Sequence, residues 1–102
     1  MLKDSLTESI LERFPDVDQR TSRFSERPAF WLGRREIAHY HDGNEIDVRL
    51  TRKVIRRLKS ELEADRRVQM RGSSDWVELR FPRRADLARV LELLELACEA
   101  NR

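Results

Sequence analysis

Two tight-turn sequences in the middle of the chain constrain its fold more than any other feature. Gly33-Arg34 and Asp42-Gly43-Asn44 separate three runs of strand-forming residues, 28–32, 35–41 and 45–50. In the third run apolar and charged residues alternate, which places one side of the strand on a core and the other side outward. The sequence therefore predicts three consecutive antiparallel strands joined by short turns.

Patterns on either side of these strands complete the fold prediction. Apolar residues recur every three or four positions in three stretches, which predicts helices at residues 5–14, 52–65 and 84–99. Alternation predicts further strands at 68–70 and 76–81, and an edge strand is compatible with residues 20–24. This order indicates an α+β fold, in which an antiparallel sheet carries about three helices on one face and its other face is partly open.

The composition indicates a single globular domain spanning residues 1–102. Hydrophobic and charged residues each make up 39% of the chain, which predicts a heavily charged surface around one core. No apolar run approaches membrane-spanning length, and the polar N-terminus is unlike a secretory signal. Cys98 is the single cysteine, so no disulfide forms within the chain. These features predict a cytoplasmic protein with no membrane partner.

Charge is balanced overall but segregated along the chain. The net charge is only +2, yet cations concentrate in the predicted second helix, at Arg52, Lys53, Arg56, Arg57 and Lys59. A non-catalytic module could use this helix face to bind protein or nucleic acid, because such clusters attract phosphates. No aromatic residue is interleaved with these cations. A solvated helix face is therefore the favoured interpretation, and nucleic acid is a disfavoured partner.

Both histidines of the chain lie two residues apart in one predicted strand. Residues i and i+2 of a strand point to the same side, so His39 and His41 should be neighbours on one face. If the following turn pairs this strand with the next, Asp47 lands near His39 or its neighbour. A carboxylate beside an imidazole orients the ring and raises its basicity, which suits acid–base chemistry near neutral pH. A structural hydrogen-bonding role and a metal site completed by Asp42, Asp47 or Glu78 are the alternatives.

The outward side of the predicted sheet carries an aromatic residue among charged ones. Trp76, Glu78 and Arg80 alternate with apolar residues in one strand, and Asp47 and Arg49 do so in another. The tryptophan could stack on a planar ligand, although a ring that merely covers the sheet fits the pattern equally well. A face of this composition is the natural place for a small-molecule site.

Three segments resemble the luciferase-like domain family, which includes the fungal luciferase and many small bacterial proteins. The most specific is the run Arg35-Glu36-Ile37-Ala38-His39-Tyr40-His41-Asp42, which is closely similar to a segment of the fungal enzyme. A strand that begins at Asp75-Trp76 and is followed by Pro82 also matches. Residues 85–97 resemble the closing helix of the family, with Arg89, Val90, Leu91 and Glu92 in its pattern. The resemblance covers residues 28–102.

The resemblance implies a shared fold and a small-molecule site around Glu36, His39, His41, Asp42 and Trp76. The fungal member oxidises a hydroxylated pyrone with dioxygen and needs neither metal nor flavin. We therefore expect a small-molecule-binding protein without a metal or other cofactor, and leave open whether it is an enzyme and whether it forms a homodimer. The expected catalytic residues are His39, His41 and Asp47, and the expected substrate-binding residues are Glu36, Asp42, Trp76, Glu78 and Arg80.

Overall fold

A computed structural model describes all residues, 1–102, and confirms the α+β fold. The elements in chain order are α1 (Leu2–Arg13), β1 (Val17–Thr21), β2 (Pro28–Leu32), β3 (Arg35–Tyr40), β4 (Glu45–Arg49), α2 (Arg52–Arg57), α3 (Lys59–Ala64), β5 (Val68–Met70), β6 (Trp76–Arg80) and α4 (Leu87–Asn101). A single 3₁₀ turn at Arg84–Asp86 leads into the last helix. No helix combines the length and apolar character that crossing a bilayer requires.

The six strands form one antiparallel sheet in the order β1-β2-β3-β4-β6-β5. The predicted triple-strand unit is β2-β3-β4, and its two turns hold glycines at positive φ, 58° at Gly33 and 69° at Gly43. The predicted edge strand exists, but it begins at Val17 rather than at residue 20. The two central strands, β3 and β4, are therefore flanked on both sides, which positions their outward side chains in the middle of a face.

The helices cover one face of the sheet and form a single core with it. Strands β4 and β6 contribute alternate residues to this core, Ile46 and Val48 from β4 and Val77 and Leu79 from β6. The apolar residues whose spacing predicts the last helix are also buried, except that Leu91 is half-buried; they are Leu87, Val90, Leu91, Leu94 and Cys98. The other face of the sheet keeps the polar residues, as the alternation predicted.

The basic helix, predicted as one helix at residues 52–65, is interrupted in its middle. It is divided at Leu58 into α2 and α3, although hydrogen bonds from Leu58 N to Val54 O and from Leu62 N to Leu58 O continue through the break. Thr51 does not cap the helix with its side chain, because its backbone lies at φ 79°. Asp75 caps it instead: its carboxylate accepts a hydrogen bond from Arg52 N at 2.9 Å.

Candidate active site

A β-bulge in β3 brings a glutamate to the side of the sheet that carries the histidines. Phe30 of β2 pairs with Ala38, and the next residue of β2 pairs with Glu36, so Ile37 is an extra residue in β3. Ile37 and Ala38 both join the core as a consequence. Glu36 and His39, three residues apart, therefore point to the same outer face, where a regular strand would place them on opposite faces.

His39 lies between two carboxylates in the middle of this face. Its Nδ1 is 2.8 Å from Glu36 Oε2, and its Nε2 is 3.0 Å from Asp47 Oδ2. The three residues are 9%, 4% and 4% exposed, so water does not replace these contacts. A neutral imidazole has one donor and one acceptor nitrogen, whereas two ionised carboxylates both need a donor. The arrangement therefore favours a doubly protonated His39.

The pKa shifts of His39 and Asp47 agree with this geometry. Burial opposes the charged form of His39, but the hydrogen bond and charge of Asp47, together with Glu36, outweigh it and raise the pKa of His39 above its ordinary value of 6.5. Burial also opposes ionisation of Asp47, and its close contacts with the two histidines outweigh it, so the pKa of Asp47 is lowered. Near neutral pH Asp47 is an anion that faces two imidazoles.

His41 is the imidazole that a ligand can reach. Its side chain is 32% exposed, against 11% for His39, and its Nε2 lies 2.8 Å from Asp47 Oδ2. That contact does not have the angle of a good hydrogen bond, and both His41 Nε2 and Asp47 Oδ1 are buried polar atoms without a hydrogen-bond partner. Such atoms are rare in folded proteins and mark positions where a ligand group can bind. We call Glu36, His39, His41 and Asp47 the histidine cluster.

A loop and a neighbouring strand build aromatic walls beside the cluster. The β1–β2 loop carries Phe24, whose ring lies 5.7 Å from the His39 ring and 5.9 Å from the Trp76 ring, measured between centroids. Trp76 of β6 lies 5.0 Å from His39. Ser22 and the backbone N of Arg23 anchor the loop by donating hydrogen bonds of 2.7 and 2.5 Å to Glu36. The same glutamate thus holds both the imidazole and the loop that covers it.

The histidine cluster opens into a cavity of about 280 Å³, which we call the histidine cavity. It is lined by Phe24, His39, His41, Asp47, Arg71, Ser74 and Trp76. Arg71 closes one side, because its Nη2 lies 2.8 Å from Glu78 Oε2 and 4.0 Å from Asp47 Oδ2. The cavity thus combines the rings of Phe24 and Trp76 with two imidazoles, a carboxylate and a guanidinium, which suits a small planar polar molecule.

The structure brings together most of the residues that the sequence singled out. Glu36, His39, His41, Asp47 and Trp76 form one contiguous site, and the predicted neighbourhood of His39 and Asp47 is a direct strand pair. Glu78 stands beside the site and bonds Arg71 at its rim.

Of the five expected substrate-binding residues, only Trp76 lines the histidine cavity. Glu36 and Glu78 contact residues of its lining, whereas Asp42 and Arg80 lie away from it. Asp42 is solvent-exposed and pairs with Arg27 at 3.1 Å, which ties the covering loop to the β3–β4 turn. Arg80 is exposed at the far end of β6, beyond Glu78. Alternation places Arg80 on the outer face correctly, but it carries no information about distance along that face.

Sequence reasoning missed three contributors, namely Ser22, Phe24 and Arg71. Ser22 and Phe24 lie in a polar stretch without periodicity, so no pattern indicated that it folds over the sheet. Arg71 extends the basic stretch in the sequence, and only the turn after β5 directs it toward Glu78. The one signal available from the sequence is a phenylalanine among polar residues. In the structure the Phe24 side chain is 64% exposed.

The cluster also has donor atoms of the kind that bind a divalent cation. One ligand atom each from His39, His41 and Asp47 lie within 4.8 Å of one another. Two imidazoles and a carboxylate suit zinc or iron, and Glu36 would orient His39 from behind. In the structure, however, the His39 Nε2 and Asp47 Oδ2 atoms bond each other directly. A cation would have to replace that hydrogen bond.

A second, larger cavity of about 530 Å³ adjoins the first. Its lining is rich in arginine, and we call it the arginine cavity; it is formed by Arg23, Phe24, Leu32, Arg34, Arg35, Glu36, Arg49, Trp76 and Asn101. Phe24 and Trp76 line both cavities. Arg49 is held there by hydrogen bonds to Asn101 and to Asp75.

Comparison with known proteins gives one match. The family model described as the luciferase domain matches residues 34–97, which include β3, β4, β6 and most of α4. The matched segment contains the whole histidine cluster, but not the β1–β2 loop that carries Phe24. No curated protein and no solved structure matches the chain.

Proposed function

This chain belongs to the luciferase domain family, and from that premise we propose that it binds a small planar molecule with an acidic hydroxyl group in the histidine cavity. The proposal includes transfer of the hydroxyl proton to His41, with no metal or other cofactor. The observation that supports it most directly is the pair of buried, unpartnered atoms, His41 Nε2 and Asp47 Oδ1. The hydroxyl group can donate to His41 Nε2, and a second donor group of the ligand can bond to Asp47 Oδ1, which only accepts while the carboxylate is ionised.

The aromatic walls support the choice of a planar ligand. Phe24 and Trp76 are edge-to-face at 5.9 Å and both line the cavity that leads to the unpartnered atoms. Rings of this kind contribute stacking and apolar contact while the polar groups set the orientation of the ligand. Phe24 is largely exposed in the unliganded protein, so a ligand that covers it gains the free energy of burying that surface.

The cluster divides the chemical work between its two imidazoles. His39 has both ring nitrogens bonded to carboxylates, so it has no lone pair for a ligand and acts as a positioning residue. His41 is the base: the O–H bond of the ligand breaks, its electron pair stays on oxygen, and the proton passes to the His41 imidazole. The ionised Asp47 carboxylate, 2.8 Å from His41 Nε2, stabilises the resulting cation.

A fluorescent phenol, 7-hydroxycoumarin, tests this proposal because its absorption band shifts to longer wavelength when it loses its proton. We expect the wild-type protein to bind it and to raise the anion fraction at a pH where the free probe is mostly neutral. The variant His41→Gln should still bind the ring but leave the neutral spectrum, because the proton acceptor is gone.

Arg80→Gln is the matched control, since Arg80 lies on the same sheet face but outside the cavity. This variant should behave as the wild type does. Wild-type protein that does not bind the probe, or that shifts its spectrum no more than His41→Gln does, would overturn the proposal. Circular dichroism of each variant shows that the fold is kept.

The basic helix carries the second candidate function, which is non-catalytic binding of nucleic acid. Its five cations, Arg52, Lys53, Arg56, Arg57 and Lys59, are all exposed. The nearby acidic groups Asp75, Asp65 and Glu61 pair with other arginines instead. Fluorescence anisotropy with labelled DNA and RNA oligonucleotides tests this candidate. Binding should weaken steeply as salt rises, and absence of binding at low salt would remove it.

We also propose a cytoplasmic location for this activity. Cys98 is 1% exposed, and burial raises the pKa of its thiol to about 11, so it is an inert core residue. A chain that relies on a packed core without disulfides suits a reducing compartment. Cell fractionation with the tagged protein tests the location, and light scattering of the pure protein tests whether it forms a homodimer.

A further inference from the structure

We propose that the arginine cavity binds a carboxylate group of the same ligand, so that the natural ligand is a planar aromatic or enolic acid. This inference rests on the proposed function and extends it from a hydroxylated ring to a hydroxylated ring that carries an anionic group. It depends on three features of the cavity: its unbalanced charge, the engagement of its only carboxylate, and the two walls that it shares with the histidine cavity.

The charge of the arginine cavity is unbalanced. Four arginines line it, and of these only Arg49 has an acidic partner, Asp75, at 3.3 Å. Arg23 donates to the backbone oxygen of Arg34 at 3.1 Å and lies over a tryptophan ring, so its charge is not neutralised. The nearby Asp18 lies 3.8 Å from Arg20. Arg34 and Arg35 are exposed in the turn and first residue of β3, without a carboxylate beside them.

The only carboxylate in the lining, Glu36, is not available to balance these charges. Its Oε1 accepts from Arg23 N, and its Oε2 accepts from Ser22 Oγ and interacts with His39 Nδ1. It is 4% exposed and faces the histidine cluster. Three guanidinium groups therefore share one concave surface without a counter-charge. Guanidinium groups bind carboxylates with paired hydrogen bonds, and concave surroundings strengthen such contacts.

The two cavities adjoin through Phe24 and Trp76, which line both. A planar ligand that lies along these rings would present one end to His41 and Asp47 and the other end to Arg34 and Arg35. A hydroxyl group suits the first end and an anion suits the second. A neutral phenol would use the histidine cavity and leave the arginine cavity without an anion. We therefore infer that the ligand also carries a carboxylate group.

Two coumarin probes that differ by one group test the inference. The first is 7-hydroxycoumarin and the second is 7-hydroxycoumarin-3-carboxylate, which places a carboxylate at the opposite end of the same ring system. We expect the wild-type protein to bind the acid about tenfold more tightly, since a charge-assisted contact contributes about 1.4 kcal/mol or more. The double variant Arg34→Gln/Arg35→Gln should bind both probes equally and keep the wild-type affinity for the neutral one.

A matched control removes two charges elsewhere. Arg52→Gln/Arg56→Gln changes the net charge by the same amount on the outside of α2, so it should keep the tenfold preference. Equal affinity of wild-type protein for the two probes would overturn the inference, as would a preference that survives in Arg34→Gln/Arg35→Gln. If the helix variant also loses the preference, the long-range field of the protein causes it and the cavity assignment is wrong.

The outcome also separates this inference from the proposed function. If the neutral probe binds and ionises but the carboxylate adds nothing, the arginine cavity has no such role and the histidine cavity keeps its own. If neither probe binds, both proposals fail. Tight binding of an RNA oligonucleotide that competes with the acidic probe would replace the carboxylate with a polyanion as the partner of these arginines.

Discussion

Two regions of the molecule are built around an aspartate with a largely buried side chain. They differ in whether both carboxylate oxygens of that aspartate have hydrogen-bond partners. Asp65, between α3 and β5, accepts three hydrogen bonds from Arg67 and one from Arg89, at 2.9 to 3.2 Å, and both of its oxygens are used. Asp47 uses only Oδ2, for His39 and His41, and its Oδ1 has no partner. Their side chains are 9% and 5% exposed.

This difference separates a structural ion network from the proposed binding site. The arginines around Asp65 also bond Asp86 and Glu61, and so connect the α2–α3 segment to the start of α4. Each charged group of this network contacts at least one group of opposite charge, so the network needs no ligand. The histidine cluster is more deeply buried, yet it retains two polar atoms without hydrogen-bond partners next to a cavity, which a structural role does not require.

Removing the structural aspartate should give the largest loss of stability. Asp65→Asn removes the carboxylate that Arg67 and Arg89 share, and Arg89, 13% exposed, keeps Glu61 and Glu92 but loses its most buried partner. A guanidinium cannot become neutral by losing a proton, so we expect the free energy of unfolding to fall by about 2 to 3 kcal/mol in urea denaturation. Asp16→Asn is the control, because solvent screens the exposed Asp16–Arg102 pair and its loss should leave the stability almost unchanged. Equal losses in the two variants would contradict the comparison.

The matching change in the histidine cluster should affect binding more than folding. In Asp47→Asn, His39 can lose a proton and keep its bond to Glu36, so stability should fall by less than about 1.5 kcal/mol. Affinity for 7-hydroxycoumarin should fall about tenfold, because the anion that stabilises the protonated His41 is lost. Titration of the probe measures this directly. A variant as unstable as Asp65→Asn that still binds the probe would reverse the two roles.

Stability should also depend on pH through the histidine cluster and not through the Asp65 network near neutral pH. The pKa of His39 is raised, so its contribution is complete below its ordinary value of 6.5 and is lost as pH rises through the higher folded value. The pKa of Asp47 is lowered, so its contribution is present above 3.8 and is lost as pH falls through the lower folded value. Both contributions to the free energy of unfolding are complete only between pH 3.8 and pH 6.5.

The difference in unfolding free energy between wild type and His39→Gln isolates this effect. It should decrease from pH 6 to pH 9, with a slope that cannot exceed about 1.4 kcal/mol per pH unit for one proton. The pKa of Asp65 is lowered to about 2, so Asp65→Asn should show no such change over that range. A difference that is flat or that grows with pH would mean that His39 is neutral in the folded protein.

The smallest expected effect is that of metal. If the histidine cluster binds protons and no metal ion, a chelator should leave the melting temperature of the purified protein unchanged, and added zinc should not raise it. A ligand at a thousand times its Kd stabilises the folded state by about 4 kcal/mol, so a real site would be visible. A rise that disappears in His39→Ala/His41→Ala would identify a cation site.

The sheet and the pairing of His39 with Asp47 could be predicted because they follow from local patterns. Alternation assigns side chains to faces, and the turn at residues 42–44 fixes which residues of β3 and β4 are opposite. The contact of Glu36 with His39 could not be derived in this way, because it depends on a register shift against β2. The resemblance to the family supplied Glu36 as a site residue without a reason for its position.

The covering loop and the helix cap were missed for a different reason. Phe24 lies over a strand more than fifty positions away, and Asp75 caps a helix that begins twenty-three residues earlier. Such contacts depend on tertiary packing, and neither sequence segment has a period that signals it. Thr51 stands directly before the helix, and threonine is a favoured capping residue, but its backbone adopts φ 79° and its side chain makes no capping hydrogen bond.

The extra residue in β3 has a consequence for finding similar sites in other sequences. A glutamate and a histidine three positions apart are ordinarily expected to meet on a helix, where that spacing returns to the same side. Here the spacing occurs on a strand because Ile37 and Ala38 are both turned to the core. A search for paired acid and imidazole that requires strand residues two apart would pass over this chain. Two adjacent apolar residues between a glutamate and a histidine, followed by a second histidine, make a better signature.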